Sequence, residues 1–152
     1  MTPEEKLREL GLELPPAPKP VGAYVSAVRS GNLLFISGQL PMKGGQLLAT
    51  GHVSGEVSVE TAQACARQAC LNALAVAAGE LGGLANVARI VRLTGHISSD
   101  RGFTDQTKVL NAASDLLLAV FGDAGRHSRA ALGAAELPLG APVELELILE
   151  VK

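Results

Sequence analysis

The chain has 152 residues, 47% of them hydrophobic, and carries a formal net charge of −2 from 13 basic and 15 acidic side chains. That length fits one domain able to bury a sizeable core, and the apolar content argues against disorder. With one Tyr, three Phe, no Trp and no basic run, a main role in nucleic-acid binding is disfavoured, and the core has to be built from Ala, Val, Leu and Ile.

At the N-terminus, Thr2-Pro3-Glu4-Glu5 is a helix start: a capping Thr, a Pro in the first turn and a Glu three residues after the cap. Leu7, Leu10 and Leu14 give it a short apolar stripe, and Gly11 can end it. This segment is acidic and amphipathic, unlike a signal peptide. "LPPAPKP" (14–20) follows, and its four prolines forbid regular structure, so an extended strap is expected. Residues 1–20 thus read as a helix and a Pro-rich strap, and 21–152 as a single domain.

Two strand-like runs, AYVSAVR and LLFIS, flank Ser30-Gly31-Asn32 as a hairpin that places Tyr24 early in the first strand. A turn at Gly44-Gly45 introduces a third short strand over 46–50. Ser58 begins a long helix whose Val59, Ala62, Ala66, Ala69, Ala73, Ala77 and Leu81 recur every three or four residues up to Gly82-Gly83. Cys65 and Cys70, five apart in that helix, are placed as two small buried hydrophobes rather than a disulfide. Residues 88–98 read as a strand with a bulge at Gly95, 104–121 as a second helix, and 128–136 and 142–151 as two closing strands that turn at Leu137-Pro138-Leu139-Gly140. In the last strand Val143, Leu145, Leu147, Leu149 and Val151 alternate with Glu144, Glu146, Ile148 and Glu150, the period of a half-buried sheet. The simplest packing of these elements is an α+β mixed sheet with two helices on one face.

No apolar run approaches the roughly 20 residues of a membrane span, and the cytoplasm is the expected location. No phosphate-binding glycine loop, HExxH or GxSxG occurs. His52, His96 and His127 lie in three segments without ligand spacing, so no metal site is expected. Arg129 stands before apolar Ala130, Ala131 and Leu132. Its planar fork suits bidentate capture of a carboxylate, and equally a pair with Glu144 or Glu146 across the closing hairpin. Glu144 shares a face with Glu146 and Glu150, where a carboxylate is either solvated or, beside a pocket, able to hold a water. Tyr24 reads as structural or pocket-lining, and Gly38 after Ser37 permits close backbone approach.

"VGAYVSAVRSGNLLFISGQLP" (21–41) together with "SRAALGAAELPLGAPVELE" (128–146) resembles the Rid (YjgF-like) family of enamine/imine deaminases, whose older label is L-PSP endoribonuclease-like. The resemblance runs from Val21 to Val151. It implies a chorismate-mutase-like fold, a homotrimer with a site in each cleft between subunits, and cofactor-free hydrolysis of enamines and imines such as 2-aminoacrylate to 2-keto acids and ammonia. By position it makes Arg129 the carboxylate clamp and Glu144 the residue linked to the water. Tyr24, Ser37, Gly38 and Asn111 then line the pocket. Ala131 stands where many members carry a cysteine and is placed at the pocket; His127 stands where the family has a proline and either enters the pocket edge among the substrate-binding residues or caps a loop. The N-terminal helix and strap mark a divergent branch. The alternatives are a non-catalytic trimer that binds carboxylate metabolites and, less supported by the charge balance, a ribonuclease or translation inhibitor.

Overall fold

The computed structural model describes residues 1–20 and 22–152; Val21, where the expected domain begins, lies outside the described residues. Helix α1 (Pro3–Glu9) starts as its sequence dictates. Thr2 Oγ1 accepts the Glu5 N–H at 3.1 Å, and the Glu5 carboxylate accepts the Thr2 N–H at 2.7 Å. Of the expected stripe, Leu7 is buried, Leu14 packs on the core and Leu10 faces outward; Leu12, outside that stripe, also packs on the core. The helix is docked by Glu4, whose carboxylate accepts the Leu84 N–H at 2.6 Å.

Strands β1 (Ala27–Ser30) and β2 (Leu33–Gln39) form the first hairpin, with Arg29 opposite Leu34. β1 is shorter than expected, and Tyr24 lies ahead of it rather than within it. The expected strand over 46–50 is one arm of a small separate hairpin, β3 (Met42–Lys43) with β4 (Gln46–Leu47). Buried Asn72 holds that hairpin down by donating to the Leu40 and Met42 carbonyls at 3.0 and 2.9 Å.

Helix α2 (Val59–Leu81) is capped by Ser58, whose Oγ accepts the Thr61 N–H, and stops at left-handed Gly82. Its alanines let it lie close on the sheet, and nearly everything between Ala62 and Ala77 on its inner side is buried. β5 (Val87–Ser98), α3 (Gln106–Phe121), β6 (Ser128–Ala134) and β7 (Val143–Val151) complete the chain. Leu34, Ile36, Ile90, Leu93, Leu145, Leu147 and Leu149 meet α2 and α3 in one core.

The five-stranded sheet runs β1-β2-β7-β5-β6, with β5 and β6 parallel and the other neighbours antiparallel. This corrects the expected closing hairpin. β7 slots between β2 and β5, while β6 is an edge strand beyond β5, so residues 135–142 cross over β5 instead of turning back. The bulges are also elsewhere: β5 shifts register between Val87 and Arg89 and again between Ile90 and Arg92, and β2 does so between Ile36 and Gln39. Gly95 pairs regularly with Leu145 and Ala131, whereas Ser37 and Gly38 together oppose the single β7 residue between Leu147 and Leu145. Gly95 is a glycine because the Leu110 methyls of α3 occupy the space a Cβ would take.

Candidate active site

The site residues fall into two groups on opposite faces of the sheet. The first surrounds Glu144. Its neighbours Val143 and Leu145 enter the core, so strand alternation turns Glu144 to the face without helices, level with His96 on β5. The β2 bulge brings Gly38 beside it: a Cβ at Gly38 would come 3.0 Å from the Glu144 carboxyl carbon. Ser37 is tied back, its Oγ donating to the Val25 carbonyl at 2.7 Å and its N–H to the Ser26 carbonyl at 2.9 Å. Tyr24, Ser37, Gly38 and Glu144 line one cavity of about 860 Å³, walled on one side by strap residues Pro15 to Pro20 and on another by Pro138 and Leu139. Burial holds the Glu144 carboxyl above its ordinary pKa; His96 opposes this shift and Glu146 adds to it.

The second group surrounds Arg129 at the root of β6. Leu93, its register partner on β5, is buried under the helices, and Arg129 points the same way, onto α3. One nitrogen, Nη1, donates both its hydrogens to a single turn of that helix: to Asn111 Oδ1 at 2.8 Å and to Ser114 Oγ at 3.2 Å. No carboxylate lies within ion-pairing distance among the described residues, so the expected cross-strand pair with Glu144 or Glu146 does not form. It cannot, since β5 stands between β6 and β7 and the side chains leave opposite faces. The Nε–Nη2 edge, the side-on edge that grips a carboxylate, is left without a partner among the described residues.

His127 belongs to this second group. Its Nδ1 lies 2.6 Å from the Gly125 carbonyl and its Nε2 2.9 Å from Ser114 Oγ. Ala131 is half-buried two residues beyond Arg129, opposite Gly95 and against the core. The residues expected at one pocket thus lie in two sets: Tyr24, Ser37, Gly38 and Glu144 line one cavity, Arg129, Asn111 and His127 gather on the helix side, and within one chain the two sets do not share a pocket. Sequence reasoning missed Ser114 and His96. The i, i+3 spacing of Asn111 and Ser114 on one helix face was a usable signal; the pairing of His96 with Glu144 needed the strand order.

Cys65 and Cys70 are free and buried, and burial pushes their thiols up to about 11 and about 12. Among the described residues no three of His, Cys, Asp and Glu converge as a metal-binding group, and no helix is long and apolar enough to cross a membrane.

The family described as "YjgF/chorismate_mutase-like, putative endoribonuclease" matches residues 4–151, so its pattern takes in α1 and the strap as well as the sheet. Protein TCP17 of Trypanosoma cruzi is 42% identical over 95% of this chain and 91% of its own. A 2-iminobutanoate/2-iminopropanoate deaminase of Dermatophagoides farinae is 28% identical over 93% of this chain and 95% of its own. The crystal structure of a "putative endoribonuclease" from Shewanella oneidensis superposes with a TM-score of 0.96 at 36% identity, covering 99% of this chain and all of that one. Names in the group are thus mixed, while the fold and the whole-length match agree, and the chain belongs to the YjgF/chorismate mutase-like family.

Proposed function

We propose that the protein hydrolyses reactive 2-imino acids, and the enamines in equilibrium with them, to 2-keto acids and ammonia. The observation that carries this reading is the state of Arg129. Its Nη1 is fixed on α3 while the Nε–Nη2 edge stays open, the arrangement a carboxylate-bearing substrate requires. Glu144, with its pKa raised by burial, suits the second half of the reaction. As water adds to the electrophilic imine carbon, the carboxylate takes a proton. It returns that proton to nitrogen to give the carbinolamine, then passes the hydroxyl hydrogen to the same nitrogen as the C–N bond breaks and C=O forms, leaving the keto acid and ammonia.

Arg129 and Glu144 act together only if two chains meet, because each chain presents them on opposite faces. A homotrimer with a site in each cleft meets that requirement. The sheet face without helices supports it, with Val28, Phe35 and Leu132 left 54%, 41% and 49% exposed. The test is release of ammonia and keto acid from freshly generated 2-iminopropionate. Arg129→Ala is expected to cut turnover by about 10- to 150-fold while the protein stays folded, since a charge-assisted contact is worth about 1.5–3 kcal/mol. Activity within twofold of wild type would remove the assignment.

A further inference from the structure

We propose that His127 is a positioning residue for Arg129, acting through the hydroxyl of Ser114. This rests on the reading of Arg129 as a carboxylate clamp. The polarity of the hydrogen bonds carries the argument. The Gly125 carbonyl can only accept, so the ring nitrogen 2.6 Å away, Nδ1, bears a hydrogen. In the neutral imidazole Nε2 is then an acceptor, and Ser114 Oγ, 2.9 Å from it, donates. The Ser114 oxygen is left to accept from Arg129 Nη1 at 3.2 Å. All the bonds point one way, from the guanidinium through the hydroxyl to the imidazole and its fixed carbonyl.

Without an acceptor at Nε2, the Ser114 hydroxyl has its usual alternative on a helix, donation to a carbonyl one turn back. That rotation carries its lone pairs away from the arginine. His127 removes the alternative. Its anchor is rigid, because Gly125 is buried with its backbone pressed on the Leu117 carbonyl, where a Cβ has no room. With Ser114 so turned, Asn111 and Ser114 take both Nη1 hydrogens and set the plane of the guanidinium, which orients the Nε–Nη2 edge. Proline at position 127 has no acceptor and cannot do this.

Two half-replacements separate this role from simple loop capping. His127→Gln keeps an acceptor near the Nε2 position and gives up the donor to Gly125. His127→Asn keeps the donor near Nδ1 and gives up the acceptor for Ser114. The readout is calorimetric affinity for 2-oxobutanoate, with Arg129→Ala as reference and thermal unfolding to confirm folded protein. His127→Asn and Ser114→Ala are expected to weaken binding about 5- to 10-fold, the size of one lost hydrogen bond in the clamp. Their combination should be no worse than either alone, and His127→Gln should restore affinity to within about threefold of wild type. Full affinity in His127→Asn with loss in His127→Gln would make the histidine a loop cap and overturn the proposal, as would an unchanged Ser114→Ala. Affinity that does not depend on Arg129 would overturn the clamp itself, and the proposal with it.

Discussion

At Glu144, a carboxylate sits on the one face of β7 where alternation makes it accessible and where the bulge at Ser37-Gly38 crowds it enough to desolvate it. Its raised pKa has a direct kinetic consequence. A base must be ionised, so kcat for imine hydrolysis should fall as pH drops through a value above the ordinary carboxylate figure of 4.5. Glu144→Gln should cut kcat by about 10²–10⁴-fold and lose that acid limb, with smaller effect on keto-acid affinity. A pH–rate profile of both proteins checks this. The alternation that exposes Glu144 was plain in the sequence. Its partners were less so, because Gly38 and His96 reach it through a bulge and a strand order that no local pattern encodes. Gly95 teaches the same lesson. Nothing in "RLTGHIS" distinguishes a glycine that bends a strand from one that makes room for a helix side chain. Since Leu110 fills the space, Gly95→Ala should destabilise the fold by about 1–3 kcal/mol, measured by denaturant unfolding.

At the scale of elements, both long helices could be read from their caps and their three- and four-residue spacing, and they lie within two residues of where those signals put them. The closing strands also stand where expected, but their adjacency did not follow. Pairing is non-local, and a short connection suggests a hairpin even when the chain must cross a neighbour to reach its slot. That crossing, residues 135–142, is held by the loop at 51–57. His52 Nε2 lies 2.9 Å from the Ala135 carbonyl and 3.0 Å from the Glu136 carboxylate, Glu56 accepts the His52 N–H at 2.9 Å, and the Gly51 N–H donates to the Gly140 carbonyl. The Ala135 carbonyl, then Glu136, hold His52 above its ordinary pKa, and the His52 N–H holds Glu56 below its own. The histidine's contribution is present below 6.5 and lost as pH rises through its raised value; the glutamate's is present above 4.5 and lost as pH falls through its lowered one. His52→Gln, which removes the side chain and keeps the backbone N–H to Glu56, should therefore lower Tm most below pH 6.5 and less as pH rises through the raised value of His52.

For the molecule as a whole, α1 and the strap belong to the fold, since Leu7 is in the core and the prolines wall the Glu144 cavity. Composition made the strap legible as extended; what it lies against depended on where the sheet ends. The placement of Arg129 and Glu144 on opposite faces bears finally on genetics. If each cleft draws the arginine from one copy and the glutamate from the next, two crippled versions of the protein can repair one another. Co-expressed in equal amounts, Arg129→Ala and Glu144→Gln chains should assemble with both working side chains in about a quarter of the clefts. The mixture would then show about a quarter of wild-type turnover, although each variant alone shows far less. A site contained in one chain would give no recovery, so the activity of co-purified mixed assemblies decides the matter. Two defective alleles in one cell would complement when carried on separate copies and fail when joined on the same one.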